Sequence, residues 1–305
     1  MRVPFSHIRH QGPVLGALGR TVVNAALQRF GVGGEPIESL PGPIHTAVVP
    51  PIDAKLVKDF VRWSGGEPSA WRDQVPPTLF PHWAFPVFSR CLKGIDYPIA
   101  KALNGGCRLE IKGRIPLDSP LYLAARLERI DDDGRRVVLH QRCVTSTESG
   151  EEVLVAHLQA IIPLGGGKDA PKRKKKKPAV VPNEARAVGD WRIPDSAGLE
   201  FACLTGDFNP IHWLSPYAKM AGFGHVILHG FGTLAGATER LRRTLWAGAT
   251  DLPASLEVRF TRPLRLPAQV KVFVHENHFF VGRAPGARAY LTGTFTTPTE
   301  TILEA

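Results

Sequence analysis

Two proton carriers, Asp207 and His212, stand five residues apart in the stretch LTGDFNPIHW, Leu204 to Trp213. Between them lie Phe208, Asn209, Pro210 and Ile211, so the interval crosses an Asn-Pro turn rather than a regular helix or strand. A carboxylate and an imidazole brought to one place can orient and deprotonate a water, which is the work of general acid–base catalysis. Asn209 moves no proton at neutral pH, but its amide can fix the turn or orient Asp207 and the water. Pro210 locks φ and shapes the turn. Taken alone, Asp207 after Gly206 reads as well as a turn or helix-cap carboxylate. A second block, HVILHGFG (His225 to Gly232), places His229-Gly230 at the opening of an apolar helical stretch. The first N–H groups of a helix have no partner within it, and a glycine there lets a ligand approach the backbone closely. His225 and His229 are spaced like a helical metal pair, but the sequence shows no third ligand, so no metal is expected.

The elements that position these residues are organised as a repeat. The chain has 305 residues, 43% hydrophobic and 22% charged, ordinary for a globular protein. No apolar run approaches the ~20 residues of a membrane span. Four cysteines, Cys91, Cys107, Cys143 and Cys203, lack paired spacing, which argues against a zinc site or a disulfide framework. The net charge is +10, of which the segment Lys168 to Lys177 supplies six charges; the remainder is only mildly basic. That run reads as a solvated linker, so no nucleic-acid partner is expected. The segment LGGGKDAPKRKKKKPAVVPNEA cannot bury a core. It divides the chain into an N-terminal extension at 1–40, a first unit at 41–164, a basic Gly/Pro/Lys linker at 165–185 and a second unit at 186–305.

The two units resemble each other. GGCRLEIKGRIPLDSPLYLAARLERI (from Gly105) aligns with LPASLEVRFTRPLRLPAQVKVFVHEN (from Leu252) at a constant offset of 147. Upstream, PPTLFPHWAFPVFSRCL aligns with HVILHGFGTLAGATERL at 149, and FVRWSGGEPSAW with FACLTGDFNPIH at 141. The change of offset puts a longer loop in the second unit between Pro210 and His225. Each unit reads as a lead-in, one apolar helix (79–92 and 230–244) and an antiparallel meander (108–114, 121–130, 135–147, 152–162; 256–261, 269–276, 278–283, 287–296). A sheet wrapped around a central helix is an α+β layer, and two copies would set two sheets edge to edge. In the N-terminal extension, apolar residues from Val14 to Phe30 recur at helical spacing. They predict an amphipathic helix packing on the body. The Arg-rich, acid-poor composition leaves a transit peptide or membrane-surface helix as alternatives, so the location expected is cytoplasmic, with mitochondrial as the alternative.

Gly206, Asp207, Phe208, Asn209, Pro210, Ile211 and His212, followed by His229-Gly230 and LEVRFTRPLRLP, resemble the MaoC-like (R)-specific enoyl-CoA hydratases and dehydratases. The resemblance is strong over about 190–300 and reaches the first unit only through the repeat. It implies a double hotdog fold and reversible addition of water to a 2-enoyl thioester carried by coenzyme A or acyl carrier protein, with no other cofactor. Asp207 and His212 would move the protons. Gly230 N–H, backed by the helix dipole, would stabilise the charge on the thioester oxygen. Asn209 would support the pair, and His229, Phe231 and Phe208 would contact substrate. A homodimer is compatible with this reading.

The first unit serves as an internal control. Opposite Asp207, Asn209 and His212 stand Gly66, Pro68 and Trp71, and opposite Gly230 stands Pro81, followed by His82. The proton carriers are absent, so the first unit reads as non-catalytic. Its aromatics Phe80, Trp83, Phe85 and Phe88 either widen a tunnel for a medium or long acyl chain or fill the core. Two other functions fit the same residues: a hotdog thioesterase, and a non-catalytic binder of acyl thioesters or nucleic acid.

Overall fold

The computed structural model of the protein describes residues 3–17, 19, 39–164, 177–251 and 253–298. Most of the basic linker, and most of the helix expected over 14–30, lie outside the described residues.

Ten strands form one sheet: β1 (His45–Val49), β2 (Leu103–Ile111), β3 (Leu121–Asp132), β4 (Arg136–Ser146), β5 (Glu152–Pro163), β6 (Arg186–Ile193), β7 (Ser255–Phe260), β8 (Ala268–His275), β9 (His278–Gly282) and β10 (Leu291–Thr296). Their order is β1-β3-β4-β5-β2-β7-β10-β9-β8-β6, antiparallel throughout. The expected edge-to-edge meeting is therefore a hydrogen-bonded seam, β2 against β7. Leu109 pairs with Leu256 there, and these two residues are equivalent under the repeat offset of 147. An antiparallel pair whose central partners are repeat equivalents has a two-fold axis between them. The two units are thus related by a pseudo-dyad through Leu109 and Leu256.

The α-helices with both ends described are α1 (Ala54–Ser64), α2 (Pro81–Cys91), α3 (Ala197–Thr205), α4 (Ser215–Met220) and α5 (Gly230–Leu245). The apolar helices α2 and α5 lie where the periodicity predicts them. The core they share runs unbroken from one unit to the other: Phe80 meets Phe231 edge-on at 5.1 Å, and Phe60 meets Phe201 at 6.3 Å. Phe80, Trp83 and Phe88 are buried in this core.

Six elements differ from expectation. β1 and β6 were not anticipated. Both are sheet edges, and β1 never buries a residue fully, so its hydrophobic alternation is weak. β6 carries a bulge between Ala187 and Gly189, which breaks the period of two. The lead-ins contain helices, α1 and α3. Eight of the nine residues of α3 are buried, so it has no polar face to betray its period. β2 begins at Leu103, before the expected Arg108, and β10 begins at Leu291, after the expected Ala287.

All four cysteines are buried and free. Burial pushes their thiols up, Cys203 to about 11 and Cys91 to about 12. Among the described residues no helix is long and apolar enough to cross a membrane.

Candidate active site

α3 ends at Gly206, whose φ of +84° stops the helix in the left-handed region and turns the chain. Asp207 follows. Asn209 then caps a 3-10 turn over Pro210–His212, its Oδ1 accepting from Ile211 N–H at 3.3 Å. Pro210 occupies the first position of this turn, where the missing N–H costs nothing. The turn puts the Asp207 and His212 side chains on one wall. Both residues are 8% exposed.

The second sequence block is stitched to the first. Ile227 N–H donates to the Ile211 carbonyl at 3.2 Å, and His212 Nδ1–H donates to the Ile227 carbonyl at 2.8 Å. A carbonyl only accepts, so His212 carries its proton on Nδ1, and Nε2 is left with a free lone pair. His229 lies behind His212, the rings stacked 3.5 Å apart, and its Nε2–H donates to the Asp207 carbonyl at 2.9 Å. The donor atoms of Asp207, His212 and His229 all lie within 4.8 Å of one another. The pairing of His225 with His229 read from the sequence is thus replaced by a cluster in which His229 joins the two proton carriers.

Burial sets the electrostatics. Desolvation raises the Asp207 pKa above the usual carboxylate range, opposed by His212 and by the Asn209 N–H. Burial lowers the His212 pKa, opposed by Asp207 and by the bond to Ile227. His229 is held well below its ordinary value by burial and by the neighbouring His212. The two imidazoles are therefore neutral at neutral pH, and the Asp207 carboxyl beside them is a stronger base than a solvated one.

These groups open onto a cavity of about 560 Å³, within the range of small-molecule sites. Asp207, Phe208, Asn209, His212 and Gly230 line it, as do Phe260, Arg262 and Tyr290. Gly230 is the first residue of α5, and among the described residues nothing accepts from its N–H. A Cβ at Gly230 would lie 2.7 Å from the Phe260 ring, so the helix start and the cavity wall fit together only with glycine. His229 and Phe231 form no part of the cavity wall. Phe231 lies beneath it, edge-on to Phe85 at 5.7 Å and to Phe260 at 5.5 Å.

The first unit supplies a wall that the sequence did not disclose: Phe85, Ile99, Ala102, Leu103 and Asn104. Of the four aromatics read as tunnel or core, only Phe85 reaches the cavity. Tyr217 and Phe223, from the longer loop of the second unit, complete it. The repeat signalled that loop through its change of offset, but not what the loop would cover.

The pseudo-dyad carries the cavity onto a smaller one of about 420 Å³, lined by Gly113, Arg114 and Thr250, equivalents of Phe260, Thr261 and Leu103. Trp71, in the place of His212, donates from Nε1 to Glu239 Oε1 at 3.1 Å. Glu239 is paired with Arg242 at 2.9 Å, and both are buried. A structural ion pair thus stands where the second unit has its proton carriers.

Residues 175–284 match the family described as "MaoC like domain". The chain is 27% identical over 262 residues to 3-hydroxyacyl-thioester dehydratase X of Mycobacterium tuberculosis, covering 82% of this chain and 88% of that one. The crystal structure of HtdX from the same organism superposes with a TM-score of 0.67 at 21% identity, covering 83% of this chain and 99% of that one. A probable enoyl-CoA hydratase 2 of Dictyostelium discoideum is 24% identical over 179 residues, 58% of this chain and 61% of that one. The chain spans less than two thirds of the length of that relative. Rv0216 of M. tuberculosis, described as a double hotdog fold, superposes with a TM-score of 0.56 at 13% identity over 86% of this chain and 97% of that one. The fold is accordingly the double hotdog, an α+β fold.

Proposed function

From the premise that the second half of this chain is a MaoC-like domain, we propose that the protein is an (R)-specific 2-enoyl-thioester hydratase and 3-hydroxyacyl-thioester dehydratase. The observation that carries the reading is the wall on which Asp207 and His212 stand side by side, buried, with His212 Nδ1 tied to Ile227 and Nε2 left free.

In the hydration direction a water sits between the Asp207 carboxylate and His212 Nε2. The pair takes a proton from it as its oxygen bonds to C3. The C2–C3 π electrons move toward the carbonyl, and the thioester oxygen takes negative charge. Gly230 N–H, at the positive end of α5, faces that charge. The proton held by the pair is then delivered to C2, the thioester carbonyl reforms, and the pair returns to its starting state. Hydroxyl and proton are added, and nothing else is consumed. The pKa directions suit this cycle, because a desolvated carboxylate is a stronger base than a solvated one. Chemistry is assigned to 186–305, whereas 41–164 is non-catalytic and contributes the apolar wall of Phe85, Ile99 and Leu103 to receive the acyl chain of a medium- or long-chain substrate. Coenzyme A or acyl carrier protein is the carrier.

Asp207→Asn and His212→Ala should each abolish hydration of a medium-chain 2-enoyl-CoA with the fold intact by circular dichroism. Wild-type turnover by both variants removes the assignment. Thiol release followed in the same reactions separates hydration from thioester hydrolysis.

A further inference from the structure

The N-terminal segment reaches the back of the catalytic turn. Residues 5–10 form a 3-10 turn against α3, anchored by His7 Nε2 to Asp59 Oδ2 of α1 at 2.8 Å. Gln11 follows, fully buried. Its Nε2–H donates to the Cys203 carbonyl at 3.0 Å, and its Oε1 accepts from His82 Nδ1–H at 3.0 Å. Cys203 lies in the last turn of α3, where helix carbonyls lack intrahelical donors. Val14 packs on Gly206. A Cβ at Gly206 would fall 2.6 Å from that of Val14 and 2.9 Å from Gln11 Oε1. The next residue is Asp207, whose own carbonyl is held from the far side by His229.

We propose that Gln11 is a positioning residue for Asp207: with Val14 it braces the end of α3, so that the carboxylate emerges at the angle the reaction needs. This rests on the reading of Asp207 as the base for hydration. The pseudo-dyad supports it. α2 opens with Pro81 where α5 opens with Gly230, and the unused helix start of α2 has become, through its second residue His82, an anchor for the brace. The corresponding helix end in the first unit, that of α1, is also held from outside. Arg240 donates to the Ser64 carbonyl and Arg243 to the Gly65 carbonyl, each at 3.1 Å. There the next residue is Gly66, and no chemistry follows. The same structural need is thus met twice, but only the Gln11 brace borders a reacting group.

Gln11→Met keeps the volume against Val14 and removes both hydrogen bonds. Its kcat should fall about tenfold or more, because small displacements of a catalytic group are costly, while KM stays within about twofold. Arg243→Ala, which removes a cap of the same kind from α1, should lower the melting temperature but leave kcat within about twofold of wild type. Val14→Ala, which loosens the Gly206 contact without touching a polar group, should lower kcat in the same sense and serves if Gln11→Met does not fold. Wild-type kcat in Gln11→Met, or in Val14→Ala where that variant stands in, overturns the inference. So does an equal loss of kcat in Arg243→Ala. Asp207→Asn assayed alongside separates the two claims. If it turns over, the role of Asp207 falls, whereas if it is dead and Gln11→Met is fully active, only the brace falls.

Discussion

A carboxylate kept inside a dry wall works against folding. The Asp207 pKa is raised in the folded protein, so the folded state binds its proton more tightly than the unfolded chain does. Its contribution to stability is present below the unfolded pKa and is lost as pH rises through the folded one. At neutral pH Asp207 is therefore destabilising. Asp207→Asn, inactive under the proposed function, should melt at a higher temperature than wild type at pH 7. The gap should narrow as the pH falls through the folded pKa and close below about 4, the unfolded pKa, where position 207 is neutral in both states. Calorimetry across that range checks it, and a gap that is constant or reversed would mean that the carboxylate is stabilised by its partners rather than strained. The same raised pKa predicts that the acid limb of kcat/KM lies above the ordinary carboxylate range, near 4. An acid limb at or below that range would show that another group is the base.

At the scale of elements, α5 and its approach carry the argument. Gly230→Ala forces the start of α5 away from Phe260 and with it the N–H aimed at the thioester oxygen. Loss of one such donor costs about 10²–10³ in kcat; a variant with wild-type kcat would release Gly230 from that role. On the opposite wall, Phe85→Ala removes an aromatic that α2 of the first unit puts against the cavity. The ratio of kcat/KM for a longer over a shorter 2-enoyl-CoA should rise; an unchanged ratio would place the acyl chain elsewhere. These elements were unevenly legible in the sequence. Asp207, Asn209, His212 and Gly230 could be read because turn residues and chemistry coincide within two short blocks. The helices α2 and α5 could be read from their apolar patterning, and the seam from the repeat, since one offset of 147 relates both strands that form it. The wall from Ile99 to Asn104 could not, because nothing local marks a residue that becomes functional by facing the other unit. His229 was taken for a substrate contact, whereas the structure turns its Nε2 to the Asp207 backbone. Gln11 is an ordinary polar residue just ahead of an apolar helical pattern, and only its two distant partners give it meaning.

The whole molecule is held together by surfaces that cross the repeat. β2 pairs with β7, Phe80 packs on Phe231, Trp71 donates to Glu239, and Gln11 spans His82 and Cys203. None of these contacts depends on the covalent link between the units. Residues 1–164 and 177–305 produced as separate chains in one cell should therefore copurify and regain hydratase activity. Residues 177–305 alone should have none, since they lack the Phe85 wall and the Gln11 brace. They would also expose β7 as an open sheet edge, which invites aggregation or self-pairing. Self-pairing of β7 across a true dyad would restore a seam. It would also bring Glu239 to His212 instead of to the Trp71 N–H, leaving a buried carboxylate with one donor fewer. The separated second unit should thus be less stable than the paired halves, as a thermal melt of the two samples would report. Activity from 177–305 alone would show that the first unit is dispensable, and halves that do not copurify would show that the linker, rather than the shared core, holds the units together.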